Sequence, residues 1–272
     1  MENTFSVITT VKKWRYLINN LTPLVNEAKF VFTPEHMEVR AVDPAHVAMV
    51  AIKTFPEYYN DNEYTVKKNF ECGLDVDSLF GKLQHFKPQT RVKLSVDGIG
   101  PTMKFEIFTE YGIFVKRFNT IDTAGMPDPK IPNLGLNKVE VDPKALCFVG
   151  RQVGAVSDHI KLIIKSTSTG NKLIIEEIGD TDENLFPLNI HKVIKKEGSG
   201  ELKAKSLFST DYMQNALKHV HLADKLVVGL GTDNPISLKY SIMHRSAKNL
   251  KPTGKPEFEA TALLAPRIES EC

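Results

Sequence analysis

The sequence has few of the residues from which disulfides and metal sites are built, and it lacks long apolar runs. Its 272 residues include three cysteines, Cys72, Cys147 and Cys272. Their odd number and wide spacing argue against a disulfide framework and against a cysteine-bound metal. No apolar run approaches the roughly 20 residues that cross a bilayer, and MENTFSVITT does not resemble a signal peptide. We therefore expect an intracellular protein with no membrane, metal or cofactor.

Motifs for catalysis are also missing. The sequence contains no glycine-rich phosphate loop, no HExxH and no GxSxG, which are the short patterns of common nucleotide and hydrolase sites. Asp43 and His46 in the segment DPAH could orient a general base. No serine or cysteine is identifiable as their nucleophile, so a structural turn is the favoured interpretation. We expect no catalytic residue and no enzymatic activity.

Alternating apolar and polar residues predict that most of the chain forms β-strands. Four shorter stretches have helical spacing, and the mixture predicts an α+β fold. In the first of these, Val11, Trp14, Ile18 and Leu21 form one apolar stripe. Three of the helices are predicted to begin at an aspartate that caps the first turn, namely Asp77, Asp142 and Asp211. The predicted helices cover 10–21, 77–86, 142–153 and 211–220, and the predicted strands include 91–96, 103–108, 113–118, 162–165, 173–178, 226–230 and 236–242.

The two halves of the chain resemble each other. DSLFGKLQHF at 77–86 matches DYMQNALKHV at 211–220, an offset of 134 residues. The same offset pairs Val7 with Val141 and Trp14 with Phe148. A shared order of helix, strand, turn and strand favours duplication of one α+β unit. We expect an N-terminal domain at 1–120, a connector at 121–137 and a C-terminal domain at 138–272.

The connector, IDTAGMPDPKIPNLGLN, contains three prolines and two glycines together with several large apolar residues. A flexible linker has few apolar residues. This segment is therefore expected to lie against the protein surface.

The charges are balanced but segregated. There are 35 basic and 33 acidic residues, so the placement of the charges matters more than their sum. Apart from the capping aspartates, the helix bodies contain basic residues and no acids, which favours a phosphate-binding face over simple solvation. We see no interleaved aromatics of the kind that stack single-stranded bases. The basic residues are Lys12, Lys13, Arg15, Lys82, Lys144, Arg151 and Lys218.

Segments near both ends carry a resemblance to a known family. RAVDPAHVAMV at 40–50 resembles the strand and turn of PCNA-type DNA sliding clamps, and TALLAPRIES at 261–270 resembles their LAP-[KR]-IE tail. MPDPKIPNLGL is similar to the connector of archaeal clamps, and TDNPISLKYSI to a strand of their second domain. The resemblance covers essentially the whole chain.

This resemblance implies a subunit of two similar clamp domains. Three subunits form a homotrimeric ring, with helices on the inner face and antiparallel sheets outside. Duplex DNA passes through the hole, and the tether raises the effective concentration of a DNA polymerase. The implied partners are duplex DNA, contacted at its phosphates, and DNA polymerase, clamp loader, flap endonuclease and DNA ligase, which dock through PCNA-interacting peptides during replication and repair. The implied location of the protein is the cytoplasm, at the nucleoid, if the protein is archaeal, or the nucleus if it is eukaryotic.

The resemblance also implies site residues. The DNA-contacting residues are Lys12, Lys13, Lys82, Arg151 and Lys218. The walls of a peptide groove are Val42, His46, Val47, Met126, Ile131, Pro132, Pro235, Leu264, Ala265 and Pro266. The strand at 111–118 is expected to pair with a neighbouring subunit's strand at 172–178. Phe148 departs from the basic pattern of the inner face, and Leu263 stands where many relatives have an aromatic residue.

Two other interpretations stay open. Within the class, the chain could be a subunit of a heteromeric ring or of a checkpoint clamp, although the complete LAPRIE tail favours an ordinary replication clamp. From another class, it could be a hydrolase that uses Asp43 and His46. The first is distinguished by the mass of the purified chain, and the second by a cleft that contains a nucleophile.

Overall fold

The chain folds into two compact units. The computed structural model describes residues 5–59, 63–96, 102–197, 202–245 and 252–267. Unit 1 comprises Met1–Pro44, Val50–Lys130 and Met243–Glu259, and unit 2 comprises Ala45–Met49, Ile131–Ile242 and Ala260–Cys272. Cys272, residues 268–270 of the tail motif and residues 60–62 of the acidic segment lie outside the described residues.

Unit 1 contains two helices and two sheets. One sheet has the strand order β5-β1-β7-β8-β9, and in the other β4, β3, β2 and β6 follow one another. The helices are α1 (Val11–Asn19) and α2 (Val76–Leu83), with a 3₁₀ turn at Pro56–Tyr58. The strands are β1 (Phe5–Thr10), β2 (Glu27–Phe32), β3 (Met37–Val42), β4 (Ala48–Thr54), β5 (Tyr64–Val66), β6 (Phe70–Asp75), β7 (Arg91–Val96), β8 (Thr102–Thr109) and β9 (Gly112–Asn119).

Unit 2 repeats this plan with longer strands. The order of its strands is β14-β11-β12-β13-β10-β15-β16, and β4, β16 and β17 contribute residues to both units. The helices are α3 (Pro143–Gln152) and α4 (Thr210–Leu217), with a 3₁₀ turn at Val220–Leu222. The strands are β10 (Asn137–Val141), β11 (His159–Thr167), β12 (Gly170–Ile178), β13 (Glu183–Lys195), β14 (Lys203–Ser209), β15 (Lys225–Leu230), β16 (Ile236–Arg245) and β17 (Pro252–Leu264). The predicted α+β fold with two similar domains is confirmed.

The apolar stripe of α1 packs into the core of unit 1. Val11, Trp14, Ile18 and Leu21 are each no more than 1% exposed, and the Trp14 ring meets Phe105 of β8 edge to face at 5.7 Å. Burying such side chains stabilises the fold by about 2 kcal/mol each. The predicted stripe is confirmed, and it leaves Lys12 exposed on the opposite side of the helix.

One of the three predicted helix caps is correct. The Asp142 carboxylate accepts from the Lys144 and Ala145 amides at 2.7 and 3.2 Å. The caps at Asp77 and Asp211 are wrong, because Asp75 caps α2 and Ser209 precedes α4. Each of these helices follows its strand without a loop, so the strand's last residue takes the capping position. Asp77 and Asp211 lie in the first turn, where a negative charge still favours the helix dipole.

The repeat is present, but its offset changes along the chain. α2 and α4, like β7 and β15, begin 134 residues apart. Val7 pairs with Leu94, and Val139 pairs with Val228, the counterpart of Leu94. The offset at the start of each half is therefore 132, and the predicted match of Trp14 with Phe148 is wrong. A slip of two residues leaves strand faces unchanged, which hid the error, but it turns a helix by more than half a revolution.

The strand expected to pair with a neighbouring subunit is not at an edge. Lys172–Ile178 lies in β12, which pairs with β11 on one side and with β13 on the other, so that prediction is wrong. In β13, residues 183–189 pair with β12, and only the stretch from Ile190 to Lys195 pairs with β10. The first half of β13 therefore has one unpaired edge among the described residues.

Candidate functional sites

The two neighbouring lysines of α1 have different surroundings. Lys12 is exposed. The Lys13 ammonium donates to the Tyr58 carbonyl at 2.8 Å and to Glu257 Oε2 at 3.2 Å, and it lies 4.8 Å from the centre of the Tyr58 ring. Burial lowers the pKa of Lys13, and the Glu257 carboxylate acts in the opposite direction. Lys13 is thus tied down inside unit 1, whereas Lys12 is available to a ligand.

Lys82 is also held by its own unit. Its ammonium donates to the Ser78 hydroxyl and to the Ser78 carbonyl, the latter at 3.4 Å, and it lies 5.4 Å from the centre of the Phe118 ring on β9. Lys116 of β9 in turn donates to the Lys82 carbonyl at 2.9 Å. Lys82 therefore lies between the end of α2 and β9, with only part of its surface open to a ligand.

In unit 2 the predicted basic residues line one groove. Arg151 and Lys218 are exposed and face a groove between α3 and α4 of about 620 Å³. The helices approach closely there, since a Cβ on Gly150 would lie 2.8 Å from Leu217 Cδ1. The other lining residues are Cys147, Gly150, Gln214, Asn215, Leu217, His219 and His221. The exposed Asn215 adds an uncharged donor that a search for charge could not find, whereas the Gln214 amide donates to the Val153 carbonyl.

His219, one of the two histidines that line this groove, adds no positive charge near neutral pH. Burial lowers the pKa of His219 to about 4, with further lowering by Lys218 and His221. His221 Nδ1 lies 3.7 Å from Cys147 Sγ, which links α3 to the 3₁₀ turn after α4. Arg151 and Lys218 supply permanent positive charge to this groove.

The predicted docking residues of unit 2 divide between a cleft and the tail. Ile131 and Pro132 are exposed and line a cleft of about 390 Å³. Leu264 is 3% exposed and belongs to the core. The other lining residues, which the sequence did not single out for this site, are Asn133, Leu134, Leu136, Lys138, Ile194, Val227, Gly229, Ser237, Lys239, Thr261 and Leu263.

The tail after β17 is held in a defined position within unit 2. The Ala265 amide donates to the Val47 carbonyl at 2.8 Å, and the Arg267 amide donates to the Leu207 carbonyl at 2.7 Å. The Arg267 guanidinium also meets Asp158 at 3.2 Å. Val47, Ala265, Pro266 and Pro235 are half-buried, and His46 is exposed with a φ of 57°.

In unit 1 the structure brings Val42 and Met126 together at a second cleft, of about 380 Å³. Met126 rests on Gly73, where a Cβ would come within 2.8 Å of the Met126 methyl and of the Ile121 carbonyl. Arg40 and Asp128 form an ion pair at 3.2 Å. The first part of the connector is thereby fixed on β3 and β6, as the apolar composition predicts.

Within the described ranges, no three histidine, cysteine, aspartate or glutamate side chains are grouped so that they could hold a metal ion. Asp43, proposed as half of a catalytic pair, is 4% exposed. In the same parts of the chain, no helix is long and apolar enough to cross a membrane.

Comparison with known proteins gives consistent matches over nearly the whole chain, although no family model matches. The DNA polymerase sliding clamp of Methanococcoides burtonii is 31% identical over 256 residues, which cover 93% of this chain and 94% of the relative. That of Methanocella arvoryzae is 28% identical over 269 residues, 98% of this chain and 100% of the relative. Among solved structures, Archaeoglobus fulgidus PCNA bound to the C-terminal region of FEN-1 has a TM-score of 0.82 at 25% identity, over 98% of this chain and 100% of that one.

Proposed function

This chain belongs to the family of DNA polymerase sliding clamps, and we propose that it is one subunit of a homotrimeric ring that encircles duplex DNA. The match to such clamps along nearly the whole chain carries the proposal. The ring tethers a DNA polymerase for processive replication, and the role requires no covalent chemistry. The archaeal relatives favour a place in the cytoplasm at the nucleoid.

We propose that the ring closes by pairing β9 of one subunit with residues 183–189 of β13 in the next. β9 is the last strand of its sheet, and neither β9 nor β13 contains a buried residue. Ile113 on β9 is 59% exposed and Leu185 on β13 is 53% exposed. Unpaired edges with apolar side chains are aggregation-prone unless another chain covers them. Head-to-tail pairing would cover both edges and can close into a ring.

A heteromeric ring would use the same edges, so its test is the mass of the chain purified alone. Light scattering at micromolar concentration and moderate salt is expected to give three times the mass of one chain. A stable monomer under these conditions would favour a heteromeric ring that needs a sister subunit.

We propose that Lys12, Arg151 and Lys218 contact DNA phosphates without reading bases. All three are exposed, and the groove of unit 2 adds the amide of Asn215 beside Arg151 and Lys218. Contacts of this kind are salt-dependent and independent of sequence. A clamp that slides needs such contacts to be weak and quickly exchanged. Lys13 and Lys82 contribute to the positive electrostatic potential near the DNA, while their ammonium groups stay bound within unit 1.

The neighbouring lysines of α1 allow a paired test. We expect Lys12→Glu to weaken duplex binding and processivity while the melting temperature stays unchanged. Lys13→Glu should lower the free energy of unfolding by about 2 kcal/mol, because it leaves Glu257 facing a second carboxylate in a partly buried site. Fluorescence anisotropy against salt and thermal unfolding measure the two effects. Equal losses of DNA binding at unchanged stability in both variants would contradict the division of roles.

We propose that the cleft of unit 2 beside Ile131 receives the apolar anchors of PCNA-interacting peptides. Support comes from its lining, in which the exposed Ile131 lies beside Leu134 and Leu263, and from the Archaeoglobus relative bound to a FEN-1 segment. Apolar and aromatic anchors in such pockets carry most of the affinity of peptide docking. The expected partners are a flap endonuclease, DNA polymerase, clamp loader and DNA ligase.

Ile131→Asp is expected to weaken binding of a flap-endonuclease C-terminal peptide at least about tenfold, because it places a charge in the apolar cleft. Leu222→Asp is the matched control, since Ile131 and Leu222 are 47% and 42% exposed and Leu222 is outside the cleft. Leu264 is unsuitable, because truncating a buried leucine costs about 2–5 kcal/mol of stability. Titration calorimetry that shows equal affinities for both variants would place the docking site elsewhere.

A further inference from the structure

The exposed face of α3 carries an aromatic ring between two cations. Phe148 is 61% exposed, and Lys144 and Arg151, four residues before it and three residues after it, are also exposed. These spacings place all three on one face of the helix. Leu146, Cys147 and Val149 are buried on the opposite side. The orientation of Phe148 is thus fixed by the packing of its neighbours.

The corresponding aromatic of unit 1 is covered. By the offset of 132 residues, Tyr16 of α1 is the counterpart of Phe148, and it is 8% exposed with its ring 5.0 Å from Phe258. The repeated fold therefore does not by itself expose this helix position, because the counterpart in unit 1 is buried. The exposure of Phe148 is specific to unit 2. The sequence-based expectation that no aromatic lies among the basic residues is wrong, because Phe148 is exposed between the exposed Lys144 and Arg151 of the same helix.

An exposed aromatic bracketed by cations suits nucleic acid better than an apolar protein surface. α3 carries no acidic residue in its first turn, and a protein partner that buried Phe148 would also have to bury or pair Lys144 and Arg151. Single-strand binding sites combine a basic path for phosphates with an aromatic ring on which a base stacks. Bases within a duplex are already stacked, so only an unpaired base can use the ring.

We propose that Phe148 is a stacking residue for an unpaired base of single-stranded DNA, with Lys144 and Arg151 holding phosphates of the same strand. Seven helical residues separate the two cations by about 10 Å along the axis, and their long side chains can reach phosphates on either side of one stacked base. Arg151 also lines the groove with Asn215 and Lys218, whose exposed donors suit the continuing strand. The inference rests on the proposed clamp function, in which single-stranded template lies next to the primer end.

Three variants of this exposed residue test the proposal, each checked by thermal unfolding for an intact fold. We expect Phe148→Leu to weaken binding of a short oligothymidylate about tenfold. Its affinity for a duplex and the salt slope should stay unchanged, because no cation is removed. Phe148→Trp should keep the affinity for the oligothymidylate, and its added fluorescence should be quenched on binding. The wild-type chain is the blank, since its single tryptophan, Trp14, is 1% exposed.

Phe148→Lys tests whether position 148 faces DNA, and this test does not depend on stacking. If the position faces DNA, this variant should increase the salt slope of duplex binding by about 0.9. A steeper slope together with an undiminished oligothymidylate affinity of Phe148→Leu would overturn stacking while leaving the clamp function intact. Unquenched Phe148→Trp at saturating oligothymidylate would overturn it as well. Failure of the wild-type chain to form a ring or to bind duplex counts instead against the proposed function.

Discussion

Ile113→Asp and Leu185→Asp are each expected to give a folded monomer with the mass of one chain. Both side chains are more than half exposed within the chain, so a carboxylate there costs the isolated subunit little. In the proposed ring each would bring an unpaired charge into the contact between β9 and β13, which costs several kcal/mol per interface. Light scattering at micromolar concentration measures the outcome.

An equimolar mixture of the two variants is expected to give a dimer. The intact β13 of the Ile113→Asp chain can pair with the intact β9 of the Leu185→Asp chain. The two edges left over, β9 of the first chain and β13 of the second, each carry the introduced aspartate, so no third chain can add. Leu222→Asp, a change at a comparably exposed leucine, should remain trimeric. A mixture that stays monomeric, or single variants that keep the trimer mass, would contradict head-to-tail pairing of these strands.

Glu177→Gln is expected to lower the free energy of unfolding by about 3 kcal/mol. Glu177 is fully buried, and its Oε1 accepts from the Gly154, Val156 and Ser157 amides at 2.7, 3.2 and 3.1 Å. Its Oε2 accepts from Asn184 of β13 at 3.0 Å. Hydrogen bonds to a charged group contribute about 1.5–3 kcal/mol each, and an unsatisfied buried donor is costly. Denaturant unfolding measures the loss, and Glu176→Gln at the partly exposed neighbour is the control.

The same carboxylate predicts an acid dependence. Burial alone would raise the pKa of Glu177, but the hydrogen bonds from Asn184 and the three amides outweigh it and lower the pKa. Its contribution is complete above the pKa of an unfolded glutamate, about 4.3. It is lost as the pH falls through the lower pKa of the folded state. We expect the stability of Glu177→Gln to depend less on pH in this range than that of the wild type, and parallel curves would contradict this.

The sequence predicted most elements that have one buried face, because alternation along a strand reports burial. β7, β8, β11, β15 and β16 were predicted on this basis. β13, the longest strand together with β17, was missed, since its thirteen residues include no buried one and Pro187 interrupts its pattern. β9 likewise contains no buried residue, and it was predicted at 113–118 because its run of Ile, Phe and Val is typical of a strand.

The sites show a corresponding limit. Lys12 and Lys13 are equivalent in the sequence, and only the fold reveals that Glu257, 244 residues away, binds one of them. The tail motif predicted Leu264 as a wall of the groove, yet Leu263 lines the cleft and Leu264 does not. Composition and motif can indicate a surface, but the direction of each side chain depends on long-range packing.

In the proposed ring, the pairing of β9 with β13 would also determine how long the ring stays on its DNA. A closed ring is linked topologically to the duplex, so it leaves only by breaking one interface or by running off a free end. Its residence time on circular DNA is then governed by backbone pairing between subunits, whereas salt, which weakens phosphate contacts, mainly hastens escape from linear DNA. In the proposed ring, retention would thus depend on the pairing of β9 with β13, and mobility would depend on the phosphate contacts of Lys12, Arg151 and Lys218.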